Sequence, residues 1–194
     1  MKPYFIIALM IFGAYVLWPE QEISRAGGVL APEEPYQKEL SATSFTHKNG
    51  YRIDPRAAFD IRARVILSSR YRFDREADLA PVDLVLGWGP MSDSEVLKDI
   101  TFTQNLRAFS WWTKSFPVTR EVIETHSANM HMIPANAEIE SRLESIRPGN
   151  MVHIKGLLVE VTSKEGWHWK SSLTRTDTGF GACELVLVES VYVW

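Results

Sequence analysis

The chain has 194 residues, of which 45% are hydrophobic and 23% are charged, and its formal net charge is -3. This balance predicts one folded domain with a sizeable core and a short appendage, and it excludes a largely disordered chain. The slight acidity gives no reason to expect a nucleic acid partner, because phosphate binding requires clustered Lys and Arg. With a single cysteine, Cys183, the chain forms no internal disulfide.

The first 18 residues resemble a membrane anchor. One cation, Lys2, precedes an unbroken apolar run, and Trp18 follows it at a position that suits the membrane interface. A cleaved signal peptide is the alternative, but small residues at the required spacing occur only at Ser24 and Ala26, beyond charged residues. We therefore predict an uncleaved anchor at 1–18, which enters the bacterial inner membrane through residues 4–18 and leaves the C-terminal domain in the periplasm.

Residues 19–42 differ in composition from the rest of the chain. They contain the pair Gly27-Gly28, several prolines and several acidic residues, without periodic apolar positions. Such a segment is typical of a flexible tether. The remaining residues, 43–194, are predicted to form the periplasmic domain.

The first half of this domain alternates apolar and polar residues, as half-buried strands do. Asn49-Gly50 predicts a tight hairpin turn, and the run 57–73 is the clearest strand. A second apolar run, 82–91, precedes a short helix that begins after Ser92 or Asp93. Alternation then resumes over 101–112 and predicts a further strand.

The second half combines one helix with a β-rich end. Residues 118–135 are ambiguous and are assigned as extended, and Asn136 is a cap for the helix that follows. Strands are predicted at 151–163, 167–175 and 183–194, with the loop "SSLTRTDTGFGACE" (171–184) between the last two. Six or seven strands with two short helices define an α+β domain of mainly antiparallel sheet.

The stretch "IRPGNMVHIKGLLVEV" resembles a strand of an oligonucleotide/oligosaccharide-binding (OB) barrel. In that fold a glycine turn precedes a long strand that bends at a second glycine, which here is Gly156. The resemblance covers the C-terminal third of the chain. It implies a small barrel, whose closure requires bent strands.

A second resemblance covers nearly the whole chain. The strings "GWGPMSD", "HSANMHMIPAN" and "SSLTRTDTGFGACE", in this order behind an apolar N-terminal segment, resemble a family of small, uncharacterised, membrane-anchored bacterial proteins. The resemblance implies an envelope location and a domain organised around these three loops. It implies no activity.

Several polar residues interrupt otherwise apolar runs, and polar groups in such places are candidates for ligand contacts. They predict a binding surface with Trp88 as its aromatic wall; the polar members are Asn129, His131, Ser172, Arg175 and Asp177. Trp167 and Trp169 share one strand face, where they either pack in the core or stack on a sugar or peptide. The predicted function is a binding or assembly module for an envelope protein or glycan, without catalysis, metal or other cofactor.

Cys183 supports an alternative from another class, a hydrolase or transferase of the envelope. A nucleophilic thiolate requires a neighbouring base, for which His126, His131 and His153 are candidates. Asp177 or Asn129 would then orient that base. A cysteine at the head of a buried strand is otherwise a small core residue.

A metal site is the last alternative. His126 and His131 could bind a metal together with Cys183 or Glu184. Their spacing of five residues does not fit one face of a strand and fits one face of a helix poorly. Hydrogen-bonded histidines are therefore the preferred interpretation.

Overall fold

The computed structural model describes residues 22–41, 45–174, 177 and 181–194. In these ranges the chain forms ten strands and three α-helices, which confirms an α+β domain of mainly antiparallel sheet. The strands are β1 (Tyr36–Glu39), β2 (Thr46–Lys48), β3 (Tyr51–Arg70), β4 (Val82–Gly87), β5 (Ile100–Asn105), β6 (Ala108–Thr113), β7 (Ser127–Pro134), β8 (Met151–Thr162), β9 (His168–Lys170) and β10 (Glu184–Val193). The helices are α1 (Ser94–Leu97), α2 (Arg120–Thr125) and α3 (Ala137–Glu144).

The predicted membrane anchor, 1–18, lies outside these described residues. Among the residues that are described, no helix is both long enough and apolar enough to cross a bilayer.

Five strands form a closed ring of backbone pairings, which we call the five-strand ring. Its order is β3, β4, β7, β10 and β8, and β8 pairs again with β3. All neighbours are antiparallel except β7 and β10, which are parallel. Outside the ring, β1 and β2 pair with β3, and β9 pairs with β8. Strands β5 and β6 form a separate hairpin.

The long strand β3 supplies one wall of the core. Its predicted alternation is confirmed from Phe59 to Ala63, where every second side chain is buried, whereas Arg64, expected on the polar face, is only 3% exposed. Irregular register between Val65 and Leu67 then changes the phase, because a bulge inserts one extra residue. Leu67 is consequently only half-buried.

Gly156 lies where the backbone of β8 closely approaches that of β10. A Cβ atom at this position would lie 2.0 Å from the carbonyl oxygen of Leu187, so any larger residue would force the strands apart. Gly156 also faces Phe59 on β3 and Val188 on β10 in the strand register. The glycine thus allows close backbone approach inside the ring.

Two local predictions are wrong. The continuous strand expected over 101–112 is the β5–β6 hairpin, whose turn consists of Leu106 and Arg107 with φ values of 47° and 63°. The extended segment expected over 118–135 begins with the helix α2, and Thr119 caps it by accepting a hydrogen bond from the amide of Val122. In neither segment did the local residue preferences indicate the observed turn or helix.

The tether prediction is also wrong for the described part, 22–41. Tyr36–Glu39 form β1 and pair with β3. Ala31 is only 2% exposed, and the amide of Ile23 donates to the carbonyl of Pro148. Backbone pairing and the buried side chain of Ala31 attach this segment to the domain, although its sequence lacks periodic apolar positions. The folded domain therefore begins before residue 43.

Candidate functional site

A groove of about 790 Å³ lies between the β5–β6 hairpin, strand β7 and the segment that leads into β10. We call it the aromatic groove, because six large aromatic side chains line it: Trp88, Phe109, Trp111, Trp112, Phe116 and Trp169. Trp112 and Phe116 are 65% and 58% exposed, so flat apolar faces are open to solvent here. Trp111 is half-buried, as expected when neighbouring residues of a strand point to opposite faces.

The tryptophan pair predicted from "WHW" is divided between two roles. The rings of Trp167 and Trp169 lie 5.8 Å apart, and both pack against an apolar cluster of the domain. Trp169 also lines the aromatic groove, where its ring centroid lies 4.7 Å from that of His131. Core packing and groove lining are therefore combined in Trp169.

Arg107 fastens the tip of the hairpin to the five-strand ring. Its Nε and Nη2 atoms each donate to Asp74 at 2.8 Å, and its Nη1 atom donates to Asp83 at 3.0 Å. The guanidinium also lies 4.0 Å from the ring centroid of Tyr71. Asn129 donates to the carbonyl of Arg107 at 2.9 Å, so both the side chain and the backbone of the turn are held.

His131 lies at the centre of a buried polar cluster. It faces Asp83 across the β4–β7 pair, and both residues are less than 5% exposed. His131 Nδ1 is 2.9 Å from Asp83 Oδ2, but the two are not aligned as a hydrogen bond, so the contact is an ion pair. Cys183 lies close enough to act electrostatically on the imidazole, and its half-buried sulfur is 3.6 Å from the donating Nδ2 atom of Asn129.

The cluster holds opposite charges in a dry environment. Burial works to lower the pKa of His131, but Asp83 and Cys183 outweigh it and raise the pKa to about 9. Burial raises the pKa of Asp83, against the opposing effects of His131 and Arg107. With two cations in contact with one carboxylate, we assign an imidazolium to His131 and an ionised Asp83 at neutral pH.

In the described part of the loop "SSLTRTDTGFGACE", 171–174, 177 and 181–184, two serine hydroxyl groups make hydrogen bonds. Ser172 Oγ donates to Asp177 at 2.6 Å, and Ser171 Oγ accepts from the amide of Leu185 at 3.0 Å. The predicted strand 167–175 is shortened to β9, and the amides of Ser171 and Ser172 donate to the carbonyls of Val159 and Cys183 beyond its end. The loop therefore combines local hydrogen bonds with a part of the candidate site, because Asp177 and Cys183 line the aromatic groove.

The structure places the predicted binding residues in two groups. Trp88, His131 and Asp177 line the aromatic groove, although Trp88 is only 1% exposed. Asn129 and Ser172 support it through their contacts with Cys183 and Asp177. Arg175 lies outside the described residues.

The predicted catalytic partners require one correction. The carboxylate beside His131 is Asp83, whereas Asp177 bonds to Ser172. Sequence reasoning missed Asp83, although a lone charge inside the apolar run "VDLVL" is a signal for a paired buried residue. Arg107 gave no such signal, because its position at a turn was itself not predicted.

The other two candidate bases pair elsewhere. His126 Nε2 lies 3.1 Å from Glu34, and His153 Nε2 lies 2.8 Å from Asp60. The proposed grouping of His126 with His131 therefore does not form. Within the described ranges, no three His, Cys, Asp or Glu side chains are arranged to hold a metal ion.

Apart from His131, whose charge is balanced by the buried Asp83, the described residues that line the groove carry three basic and three acidic side chains. The basic ones are Arg107, Arg120 and Lys170, and the acidic ones are Glu124, Asp177 and Glu184. No family model, curated protein or solved structure matches this chain. Its function is therefore argued from the geometry of the site.

Proposed function

We propose that this chain is a membrane-anchored binding module of the bacterial envelope, with an OB-type barrel as its body. An OB barrel has five strands in a Greek-key order. The five-strand ring supports this assignment: β3, β4 and β7 are successive antiparallel neighbours, and β10 returns to lie between β7 and β8. Helix α3 falls between β7 and β8 in the chain.

The position of the aromatic groove carries the proposal. OB barrels bind ligands on the face of their second and third strands, together with the loops that follow the first and fourth strands. Here the groove is lined by β7, the third strand of the ring, and by the connection that leads from β9 into the last strand, β10. The aromatic groove thus shares the third strand and the connection into the last strand with the ligand face of that barrel type, which supports the proposal.

The lining favours an uncharged glycan as the ligand. Balanced charges provide no attraction for a strongly anionic or cationic chain. The exposed faces of Trp112 and Phe116 suit the flat apolar faces of sugar rings. Polar side chains at the same site, such as Asp177 and Thr174, are available for sugar hydroxyl groups.

The glycan assignment is tested by calorimetric titration of the full-length chain, in mild detergent, with uncharged N-acetylglucosamine oligomers. Because Trp112 would lose its stacking contact, Trp112→Ala should weaken binding about tenfold, which corresponds to about 1.4 kcal/mol. Trp194→Ala is the matched control, since Trp194 is 54% exposed and lies outside the groove. Equal binding by both variants, or saturable binding to peptides but to none of the sugars, would contradict the glycan assignment.

The membrane location is a separate part of the proposal, supported by the apolar sequence of residues 4–18. In a bacterial host, the full-length chain should remain in the membrane fraction after alkaline carbonate extraction. Protease added to spheroplasts should remove the domain, because it faces the periplasm. Release by carbonate, or protection from protease in intact spheroplasts, would refute this location.

A further inference from the structure

Three strands bring Cys183, His131 and Asp83 together beside the aromatic groove. Asp83 on β4 faces His131 on β7, and His131 in turn faces Leu185 on β10, two residues after Cys183. His131 pairs with Asp83, and Cys183 is close enough to act electrostatically on its imidazole. Cys183 and His131 also line the groove, so a ligand held there can reach them.

The surroundings of Cys183 differ from those of a cysteine that merely fills core space. Such a cysteine is enclosed by apolar side chains. Cys183 is only half-buried, its sulfur is 3.6 Å from the donating Nδ2 atom of Asn129, and it lies close enough to His131 to act electrostatically on the imidazole. Its neighbours are therefore polar, as is usual around a reactive cysteine.

We propose that Cys183 and His131 are catalytic residues for acyl transfer, that Asp83 positions His131, and that the substrate is a carboxylic ester bound in the aromatic groove. A nucleophile, a base and a third group that orients the base are the parts this chemistry requires. The inference goes beyond the binding function and does not depend on the ligand being a glycan.

The reaction is balanced without any oxidant or reductant. The Cys183 sulfur, as the thiolate beside the imidazolium of His131, attacks the ester carbonyl carbon and forms a C–S bond. The C–O bond to the alcohol breaks, and the alcohol leaves with the proton that His131 carried. Water then attacks the thioester while His131 accepts its proton, the C–S bond breaks, and a carboxylic acid is released.

Buried charges around His131 support this role. The Asp83 carboxylate lies between His131 and Arg107, so it is held in place from two sides. Together with Cys183 it keeps the pKa of His131 at about 9, against the effect of burial. An imidazolium next to the sulfur is therefore present at neutral pH, when the proton must be delivered to the leaving alcohol.

The first experiment uses p-nitrophenyl acetate as the probe with the full-length chain in mild detergent. Nitrophenolate should be released with a burst, and intact-mass analysis after acid quenching should show one acetyl group on Cys183. Cys183→Ser should carry no acetyl group at that position, and His131→Gln should react about 100-fold more slowly, the lower end of the range for acid–base catalysis. His153→Gln is the matched control, because His153 pairs with Asp60 away from the aromatic groove and should leave the rate unchanged.

Results on the unsubstituted chain keep the proposal falsifiable if a variant fails to fold. Iodoacetamide at neutral pH should modify Cys183 in the folded chain, because Cys183 lines the aromatic groove, and the alkylated chain should release no burst of nitrophenolate. An unacetylated Cys183, or a burst that persists in the alkylated chain, would overturn the proposal. The small probe does not require the aromatic wall, so this result is distinguishable from a failure of glycan binding.

Asp83 is tested by a signal that a purely structural residue would not change. In an NMR titration, the imidazole of His131 should titrate near its pKa of about 9 in the unsubstituted chain. Asp83→Asn should move that midpoint down by at least about one pH unit, since removal of a close anion disfavours the imidazolium. A midpoint that does not move in folded Asp83→Asn would remove Asp83 from its positioning role.

Discussion

The groove and the outer face of β3 and β8 each contain a histidine paired with an aspartate at almost the same distance. His131 Nδ1 lies 2.9 Å from Asp83, and His153 Nε2 lies 2.8 Å from Asp60. The side chain of Asp83 is 0% exposed, whereas that of Asp60 is 34% exposed and also contacts Lys155. The two pairs therefore differ in their surroundings more than in their geometry.

The different surroundings shift the pKa values of the two carboxylates in opposite directions. Burial raises the pKa of Asp83 in spite of His131. Burial is weaker at Asp60, where hydrogen bonds from His153 and Lys155 prevail and lower its pKa. The comparison teaches that a short histidine–aspartate contact indicates a chemically unusual site only when water is excluded from it.

The largest expected difference between the two pairs lies in stability. Asp83→Asn should lower the free energy of unfolding by about 3–5 kcal/mol, because it leaves Arg107 and His131 as buried cations without their shared anion. Asp60→Asn should lower it by at most about 1 kcal/mol, as for other exposed pairs. Urea denaturation of both variants measures the difference, and equal losses would show that burial does not separate the two pairs.

The next prediction concerns pH. Because the folded-state pKa of His131 is raised to about 9, its contribution to stability is complete below its ordinary value of 6.5 and is lost as pH rises through about 9. The loss should amount to at most about 3–4 kcal/mol, since each pH unit between the ordinary and the raised pKa corresponds to about 1.4 kcal/mol. It is measured as the difference in free energy of unfolding between pH 6 and pH 9.5.

Histidine variants identify the source of that pH dependence. His131→Gln should flatten the stability profile between these two pH values, whereas His153→Gln should preserve it. If His153→Gln flattened the profile instead, the assignment of the raised pKa to the buried pair would be wrong.

Two arginines extend the comparison with closely similar contacts. Arg107 makes a two-bond contact with Asp74 and lies 4.0 Å from the ring centroid of Tyr71. Arg52 makes the same kind of contact with Asp54 and lies 4.0 Å from the ring centroid of Phe45, but in an exposed position. Since lysine keeps the charge and loses the planar fork, Arg107→Lys should destabilise the domain by about 1–2 kcal/mol.

Arg52→Lys is the matched control and should leave the denaturation midpoint unchanged. A midpoint shift in Arg52→Lys as large as that in Arg107→Lys would mean that the fork geometry matters regardless of burial. Unchanged stability of both variants would mean that Arg107 does not fasten the hairpin.

Sequence reasoning succeeded where local signals and tertiary structure agree. Asn49-Gly50 adopts positive φ at both residues, as its hairpin requires, and the Asn136 side chain caps α3 through the amide of Ile139. It failed at the groove, where tertiary contacts override local preference. The turn Leu106-Arg107 has two residues that disfavour positive φ, and the bonds of Arg107 to Asp74 and Asp83 hold it in place.

The sequence predicted several residues of the candidate site, but not which of these residues contact one another. Polar residues in apolar runs identified His131 and Asn129, because buried polar groups must find partners. The partner of His131 could not be identified, because the β4–β7 register that places Asp83 opposite it follows from the whole ring. Conflicts between local rules and the fold are expected at functional sites, and here they concentrate around the groove.

The smallest effect is expected when residue types are exchanged between two hairpin turns, Leu106-Arg107 and Asn49-Gly50. Leu106→Asn should stabilise the domain by about 0.5–1 kcal/mol, because Asn tolerates the left-handed region that Leu disfavours. Asn49→Leu should destabilise it by at least about 1 kcal/mol, since it also removes the hydrogen bond from Asn49 to the carbonyl of Asp78. Leu106 is 90% exposed and lines the groove, so its strain is not offset by burial in the core.

Ligand binding then separates two reasons for keeping leucine at this turn. If Leu106 contacts the ligand, Leu106→Asn should raise the denaturation midpoint and weaken sugar binding in the calorimetric titration, which is a trade of stability for function. A variant that is more stable and binds as before would leave the strained turn without a role in the groove. A variant that is less stable would show that the turn is shaped by contacts of Leu106 rather than opposed by its backbone preference.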